Sequence, residues 1–375
     1  MKFETTAKLL TAALRNLLPV IERRNTIPIL SCVLFDGRTI RGTDLDMELT
    51  LSVPATSAKG QIAIDHRSLL NLAGHIPADD TVRIEGGKEG ATVTFSFGRY
   101  DLPSLPAADY PEMLADNATP TEVDGEALKK ALIFVSPFIS TEETRYYLNG
   151  ICLDDNVAVA TDGHRLGCHP AGADFTKFDR PIIPRKAVRL LTGLPSIKSL
   201  AFGSEPRLVA GLDGARLVTK LIDGTFPDWR RVVPEFLDEA SKVTLDRRQL
   251  IAAARRALVA RGPSAMPCGT LAWGEGRAAL VANNPDRGTA REYLDKAIAT
   301  GEGHSAFNLR YMIDLLSAFR DDEVTAMFGD PNSPVMVSSG GEAFTVIMPM
   351  RGMDDQLAKQ TLADWGTINE LGRAA

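Results

Sequence analysis

Apolar residues recur at helical spacing along 7–24: Leu10, Leu14, Leu17 and Ile21 share one face, and Lys8 and Arg15 fall opposite. An amphipathic helix is predicted there. The pattern returns at 125–140, where Leu128, Leu132, Val135 and Ile139 face one way and Lys130 the other. It returns again at 246–261, with Leu250, Ala254 and Ala257 opposed to Arg248 and Arg255. A second set of shorter helical stretches covers 65–76, 184–194 and 308–320, the middle one carrying Lys186. Between the helices the period drops to two. "TVRIEGGKEGATVTFSFGRYDL", "SLAFGSEPRLVAGLDGARLVTKLI" and "VTAMFGDPNSPVMVSSGGEAFTVIMP" alternate apolar and polar positions, broken by Gly, Asp, Asn or Pro. That alternation predicts antiparallel hairpins with one solvated face.

The elements repeat in order: a long helix, a turn between alternating strands, then a shorter helix. The turns "GTDLDMEL", "ATDGHRLG" and "ANNPDRGT" begin at 42, 160 and 282, which are 118 and 122 positions apart. The shorter helices are 119 and 124 apart. Two landmarks thus give one period of about 120 residues. The fold class expected is α+β, three repeated units of two helices packed on antiparallel sheets. The polar, proline-bearing stretches 111–125 and 232–243 divide the chain into 1–117, 118–238 and 239–351, followed by 352–375.

Charge changes the picture. The 375 residues carry a formal net charge of −6, which alone argues against a nucleic-acid partner. The six helical stretches, however, hold 17 Lys and Arg against 5 Asp and Glu, so they carry +12 and the rest of the chain −18. Helix propensity favours Glu as much as Lys and predicts both signs. A basic helical surface suits a phosphate backbone, read independently of sequence. No zinc-finger spacing, leucine zipper or RNP aromatic pattern provides base readout. There is no apolar run long enough for a membrane span, and the N-terminus lacks a signal-peptide pattern. Cys32, Cys152, Cys168 and Cys268 are scattered without a CxxC pair and read as buried thiols of a reducing, cytoplasmic setting. No metal or cofactor motif occurs.

The stretch "VATDGHRLG" (159–167) sets Asp162, His164 and Arg165 within four positions. It reads as a catalytic centre or as a polar turn. Only the middle repeat has His and Arg there, and the nearest upstream serines, Ser136 and Ser140, belong to a helical stretch rather than a nucleophile elbow. Cys168 has no evident acid or oxyanion nest. Thr161 and Asp162 favour a turn through side-chain-to-backbone bonds, and Gly163 can adopt φ > 0. The turn reading, and a binding protein rather than an enzyme, is preferred.

"LPAADYP" (105–111), "RYYLNG" (145–150), "ATDGHRL" (160–166), "IIPRKAV" (182–188), "KLIDGTFPDWRRV" (220–232) and "VIMPMR" (346–351) resemble bacterial DNA polymerase sliding clamps, the beta subunit of DNA polymerase III. The resemblance runs from Met1 to Arg351. It implies a head-to-tail homodimer closed into a ring, helices toward the hole and sheets outside, which tethers polymerase to double-stranded DNA without chemistry of its own. It also implies further partners, a clamp loader and other clamp-binding proteins. The family's partner-peptide pocket maps onto Leu148, Thr161, Gly163, His164, Arg165, Leu166, Pro227, Arg231, Val232, Val346, Met348, Pro349, Met350 and Arg351. Its DNA contacts map onto Arg24, Tyr146 and Tyr147, beside the helical cations Lys8, Arg15, Lys130, Lys186, Arg248 and Arg255. Its ring-closing surfaces map onto Tyr100 and Leu102 on one protomer and Leu258 and Val259 on the other.

The sequence departs from that family in three stretches. "NNPDRGTARE" (283–292) brings Arg287 and Arg291 where the family usually has acidic residues, and "RGPSAMPCGTLAW" (261–273) lacks the usual basic-Gly-aliphatic pattern. Family chains also typically stop about one residue after "MPMR", whereas this one continues as "GMDDQLAKQTLADWGTINELGRAA" (352–375). "QTLADW" (360–365) loosely resembles a clamp-binding motif, so Leu362 and Trp365 either fold back, or reach a neighbour, and compete for the pocket, or belong to a mobile tail or a helix docked elsewhere. Two other readings remain at this stage: a clamp-derived scaffold or accessory paralogue that binds partners without encircling DNA, and an enzyme using Asp162 and His164.

Overall fold

The structure is a computed structural model that describes residues 1–22, 26–58, 60–87, 90–113, 118–203, 205–235, 240–330, 332–351 and 354–365. Two compact units form, Met1–Lys129 with Gly172–Asp223, and Lys130–Ala171 with Gly224–Ala375.

The expected helices are present but shorter. They are α1 (Ala7–Leu17), α2 (His66–Ala73), α3 (Gly125–Val135), α4 (Arg185–Gly193), α5 (Arg247–Arg261) and α6 (Leu309–Ala318). Proline sets two of the corrections. Pro19 and Pro137 lack an N–H and crowd the preceding turn, so α1 and α3 give way to 3₁₀ turns at Leu18–Val20 and Ser136–Phe138. Ile21, Ile139, Ser136 and Ser140 therefore lie beyond the α-helices. Side-chain oxygens of Thr6, Asp65, Asp246 and Asn308 cap α1, α2, α5 and α6. The inward faces are as the spacing predicts: Leu10, Leu14 and Leu17 on α1, Leu128 and Leu132 on α3, and Leu250, Ala254 and Ala257 on α5 are all buried.

Each repeat contributes two three-stranded meanders. The first repeat has β1 (Cys32–Asp36), β2 (Thr39–Thr43), β3 (Met47–Ser52), and β4 (Thr81–Gly86), β5 (Ala91–Phe95), β6 (Gly98–Leu102). The second has β7 (Gly150–Asp154), β8 (Val157–Thr161), β9 (Arg165–Pro170), and β10 (Ile197–Phe202), β11 (Arg207–Leu212), β12 (Ala215–Lys220). The third has β13 (Cys268–Gly274), β14 (Arg277–Asn284), β15 (Gly288–Leu294), and β16 (Glu323–Phe328), β17 (Val335–Ser338), β18 (Phe344–Ile347). All are antiparallel.

The repeats are knitted through their sheets. Inside the first unit β3 pairs with β12, Leu51 opposite Ala215 and Met47 opposite Thr219. Inside the second unit β9 pairs with β18, Leu166 opposite Val346. Both junctions join the last strand of one repeat's first meander to the last strand of the next repeat's second meander. Shared sheets explain why the compact units cut through the middle repeat. Among the described residues β6 and β15, which hold the two remaining equivalent places, are open edges of their sheets.

Candidate protein-binding and nucleic-acid interfaces

The "TDGHR" turn between β8 and β9 is built by its own side chains. Thr161 Oγ1 donates to the Arg165 carbonyl at 2.8 Å and accepts from the Gly163 N–H at 3.1 Å. Asp162 Oδ1 accepts from the His164 and Arg165 N–H groups at 2.9 and 3.1 Å. Gly163 adopts φ +89°, where a side chain is strained. The turn between β2 and β3 repeats these bonds. Thr43 Oγ1 donates to Met47 at 2.8 Å and accepts from Leu45 at 3.1 Å, and Asp44 Oδ1 accepts from Asp46 and Met47 at 3.0 and 2.7 Å. Leu45 stands where Gly163 does, at φ +73°. Asp162 is thus a turn brace. Cys168 is buried on β9, and burial pushes its thiol up to about 12. Among the described residues this turn brings no nucleophile–base pair together.

Arg165 is the hub of this corner. Its side chain is only 9 % exposed, with Nε 2.9 Å from Asp162 and Nη1 2.9 Å from Asp314. Nη2 donates to the Pro137 carbonyl at 3.0 Å, and the guanidinium lies over Tyr311 at 4.4 Å and Phe138 at 5.6 Å. His164 stacks on the Tyr311 ring at 6.0 Å. The Met348 N–H donates to the His164 carbonyl at 2.8 Å and extends the β9–β18 pairing past the strand end. "DGHRL" and "VIMPM" are therefore neighbours in one sheet despite some 180 intervening positions. His164, Met348 and Arg351 are exposed, and Pro349 and Met350 half-buried.

Leu148, Leu166 and Val346 require a correction. They are 3 %, 2 % and 1 % exposed, so they are packed core rather than an open wall: Leu166 and Val346 lie opposite each other within buried runs of their strands, and Leu148 is the buried residue that closes a 3₁₀ turn. Thr161 is buried too, its hydroxyl spent on the turn. Pro227, Arg231 and Val232 are exposed around a 3₁₀ turn, Trp229–Val232. Trp229 Nε1 donates to Asp154 at 2.7 Å, Arg230 bridges Asp154 and Asp155 at 2.7 Å each, and the Trp229 ring lies 6.4 Å from Phe344 on β18. Arg231 pairs with Asp228 at 3.0 Å. Sequence reasoning missed Phe138, Tyr311, Asp314 and the Asp154–Trp229–Arg230 group. The one signal available was Tyr311 and Asp314 three apart on α6, which puts them on one face.

The basic helices are less free than their count suggests. Lys8, Arg15, Lys130 and Arg255 are exposed and make no ion pair among the described residues. Arg248 pairs with Asp322 at 3.0 Å, Lys186 with the Asp44 carboxylate, and Arg256 with Glu292. Arg261 is buried. The predicted stripe thus thins because carboxylates from other parts of the sequence return to it. Tyr146 and Tyr147 sit on a 3₁₀ turn, Tyr146–Leu148, rather than a strand. Tyr146 is 53 % exposed and meets Tyr147 edge-on at 5.8 Å. Arg24 lies outside the described residues.

On the open edge β6, Tyr100 is exposed and stacks on Phe95 at 5.9 Å, with Leu102 half-buried. Beside them Phe97, not anticipated, is 88 % exposed. At the end of α5, Leu258 is half-buried and Val259 exposed. Arg287 packs over the Gly262 turn and Arg291 points out from the β15 edge into solvent.

The C-terminal stretch forms a helix, α7 (Asp355–Ala363), on β13 and β14. Ala358 is buried against Ala272 and Val281, Leu357 and Leu362 flank it, and Trp365 meets Tyr293 edge-on at 4.8 Å. Of the expected fates for Leu362 and Trp365, a helix docked elsewhere is the one observed. The apolar side of α7 is spent on this sheet.

Four features define a class: three helix-on-sheet repeats, basic helices, an apolar corner beside a polar turn, and open sheet edges. This is a class of repeat-built proteins that offers surfaces for binding. Comparison with known proteins specifies it. Residues 1–114, 122–228 and 230–351 match the profiles of the N-terminal, central and C-terminal domains of the DNA polymerase III beta subunit. The beta sliding clamps of Caulobacter vibrioides and Escherichia coli are each 32 % identical, aligned over 94 % of this chain and all of theirs. A crystal structure of the Pseudomonas aeruginosa sliding clamp bound to griselimycin superposes with a TM-score of 0.85 at 28 % identity, covering 94 % of this chain and all of that one. The chain belongs to the DNA polymerase III beta subunit family. The profile ends at Arg351, so α7 lies outside it.

Proposed function

We propose that the chain is a DNA sliding clamp: two copies close head to tail around double-stranded DNA and hold a polymerase on it. The observation that carries the ring is the junction rule. β3 pairs with β12 and β9 with β18 in the same way, which leaves β6 in the first unit and β15 in the second without such a pairing among the described residues. Pairing β15 with the β6 of a second copy repeats the rule a third time, and a heterologous contact of this kind closes when the rotation returns to its start. In this reading the domains are 1–117, 118–238 and 239–351, with 352–375 appended. Lys8, Arg15, Lys130 and Arg255 meet phosphates, with Lys186 and Arg248 available once released from Asp44 and Asp322. Tyr146 and Tyr147 offer faces on which an unpaired base can stack.

His164, Pro227, Arg231, Val232, Met348, Pro349, Met350 and Arg351 form the peptide-receiving rim, over the Leu148, Leu166 and Val346 floor. Thioethers at Met348 and Met350 adapt to varied apolar side chains, which suits polymerase, clamp loader and other partners in turn. No helix among the described residues is long and apolar enough to cross a membrane, and the working setting we infer is the cytoplasm. The test is retention on DNA. After loading onto nicked circular duplex the chain is expected to stay bound through a high-salt wash and to leave once the circle is linearised. Equal loss from circular and linear DNA refutes encirclement.

A further inference from the structure

We propose that residues 354–365 are a working part of the subunit-joining surface, holding β15 and the end of α5 in the shape that receives the β6 edge of a second copy. The proposal rests on the ring reading above and goes beyond it, since the family profile stops before this segment.

Two anchors carry it. The first is Asp354, a carboxylate buried to 7 % exposure. Its Oδ2 accepts from the Asn283 N–H at 3.2 Å and lies 3.8 Å from Arg261 Nη1. Arg261 is the last residue of α5 and is itself buried. It donates through Nε to the Met266 carbonyl at 3.0 Å and through Nη1 to the Asn283 carbonyl, while its own carbonyl accepts from Asn284 at 2.7 Å. One guanidinium therefore ties the α5 end, the turn after it and the hairpin leading into β15. Asp354 is the carboxylate that faces this charge, and a buried cation stripped of its partner destabilises what it holds.

The second anchor is α7. On β13, Leu271 lines the apolar interior with Leu250 of α5, so its neighbour Ala272, which packs on Ala358 of α7, faces the other way. α5 and α7 thus cover opposite faces of one sheet. The edge strand β15 is gripped from both. Arg256 of α5 donates to Glu292 at 2.9 Å, and Trp365 abuts the adjacent Tyr293 at 4.8 Å. An open edge strand held on two faces is a preorganised template for one more strand. The occupant is a second copy of this chain, because β6 is the one remaining strand in the place that β12 and β18 hold at the other junctions. Exposed Tyr100 on that strand and Val259 at the α5 end flank the contact.

The test uses full-length chains carrying Trp365→Ala, Asp354→Asn or Trp365→Phe, with the dimer dissociation constant measured by sedimentation equilibrium. Affinity for a clamp-binding peptide is measured in parallel as a readout that edge geometry alone leaves unmoved. Trp365→Ala and Asp354→Asn are expected to weaken the dimer at least about tenfold, with Trp365→Phe close to the unmodified chain and peptide affinity constant in all three. If either variant loses peptide affinity, its fold is compromised, and amide exchange across Gly288–Leu294 in the other decides; slowed or unchanged exchange there overturns the proposal. Dissociation constants within twofold of the unmodified chain overturn it while leaving the ring intact. An unmodified chain that stays monomeric removes both.

Discussion

Asp44→Asn separates the cations proposed to act on DNA from those proposed to be held in reserve. Asp44 has two roles. Its Oδ1 braces the turn by accepting from Asp46 and Met47, and its Oδ2 engages Lys186. Asparagine keeps an acceptor for the first role and abolishes the charge of the second. Lys186, already 44 % exposed, is then released toward solvent. With Lys8, Arg15, Lys130 and Arg255 making no ion pair among the described residues, full phosphate engagement by two copies, as proposed, gives log K against log[salt] a slope near −7, and about a 10⁴-fold loss of affinity between 50 and 200 mM salt. Releasing Lys186 in both copies steepens the slope by up to ~1.8. The assay is fluorescence anisotropy of a labelled duplex across that salt range, with Lys186→Ala and the double variant alongside. Lys186→Ala alone is expected to change little, and the double variant to return to the unmodified slope. An Asp44→Asn chain with an unchanged slope refutes Lys186 as a reserve phosphate contact. Flattening by Lys186→Ala alone refutes the claim that the ion pair holds it back.

Three further outcomes follow from named positions. Leu45→Gly is expected to raise the melting temperature, because relief of a left-handed backbone worth ~1–2 kcal/mol exceeds the ~0.5–1 kcal/mol entropic cost of glycine; a lowered melting temperature refutes it. His66 donates from Nε2 to the Leu14 carbonyl at 2.8 Å, and burial holds its pKa below the ordinary 6.5. Its stabilising neutral form is complete above the unfolded pKa and is lost as pH falls through the folded one, at up to about 1.4 kcal/mol per pH unit. Burial raises the pKa of Glu48 and acts in the opposite sense, so the discriminating comparison is His66→Gln, whose urea midpoint should fall less between pH 7 and 5. Deleting 353–375 should leave affinity for a clamp-binding peptide unchanged, since Trp365 sits against Tyr293; a marked gain would show that the segment competes for the slot.

What the sequence discloses depends on the range of the interaction. Thr161, Asp162 and Gly163 announce their turn because every bond in it closes within four positions. The same logic fails at Leu45, where a residue that disfavours φ > 0 is held there by Thr43 and Asp44. Pro19 and Pro137 mark helix ends by local sterics, and the apolar period overran them because burial continues past the α-helix into Val20 and Phe138. The cation stripe was legible as a count. Its silencing was not, since Asp44 and Lys186 are 142 positions apart and no local pattern pairs them. The Arg165 hub was hidden for the same reason, as Tyr311 and Asp314 come from a later repeat.

The repeat also shows how the side chains at the two junctions differ, and why the proposed apolar slot is placed at one and not the other. At the first, the Lys220 N–H donates to the Asp46 carbonyl at 2.9 Å, and the side chains of the two residues close an ion pair, also at 2.9 Å. At the second, the equivalent Met348 N–H donates to the His164 carbonyl at 2.8 Å, but the side chains there are a thioether and an imidazole turned against Tyr311. The backbone bond is the same. One pair of side chains satisfies itself with charge, and the other leaves a polarisable, incompletely covered corner over a buried Leu166 and Val346. In the clamp proposed above, a shared scaffold bond with divergent side chains makes one repeat contact a closed seam and its copy the proposed receptor for a partner's apolar residues.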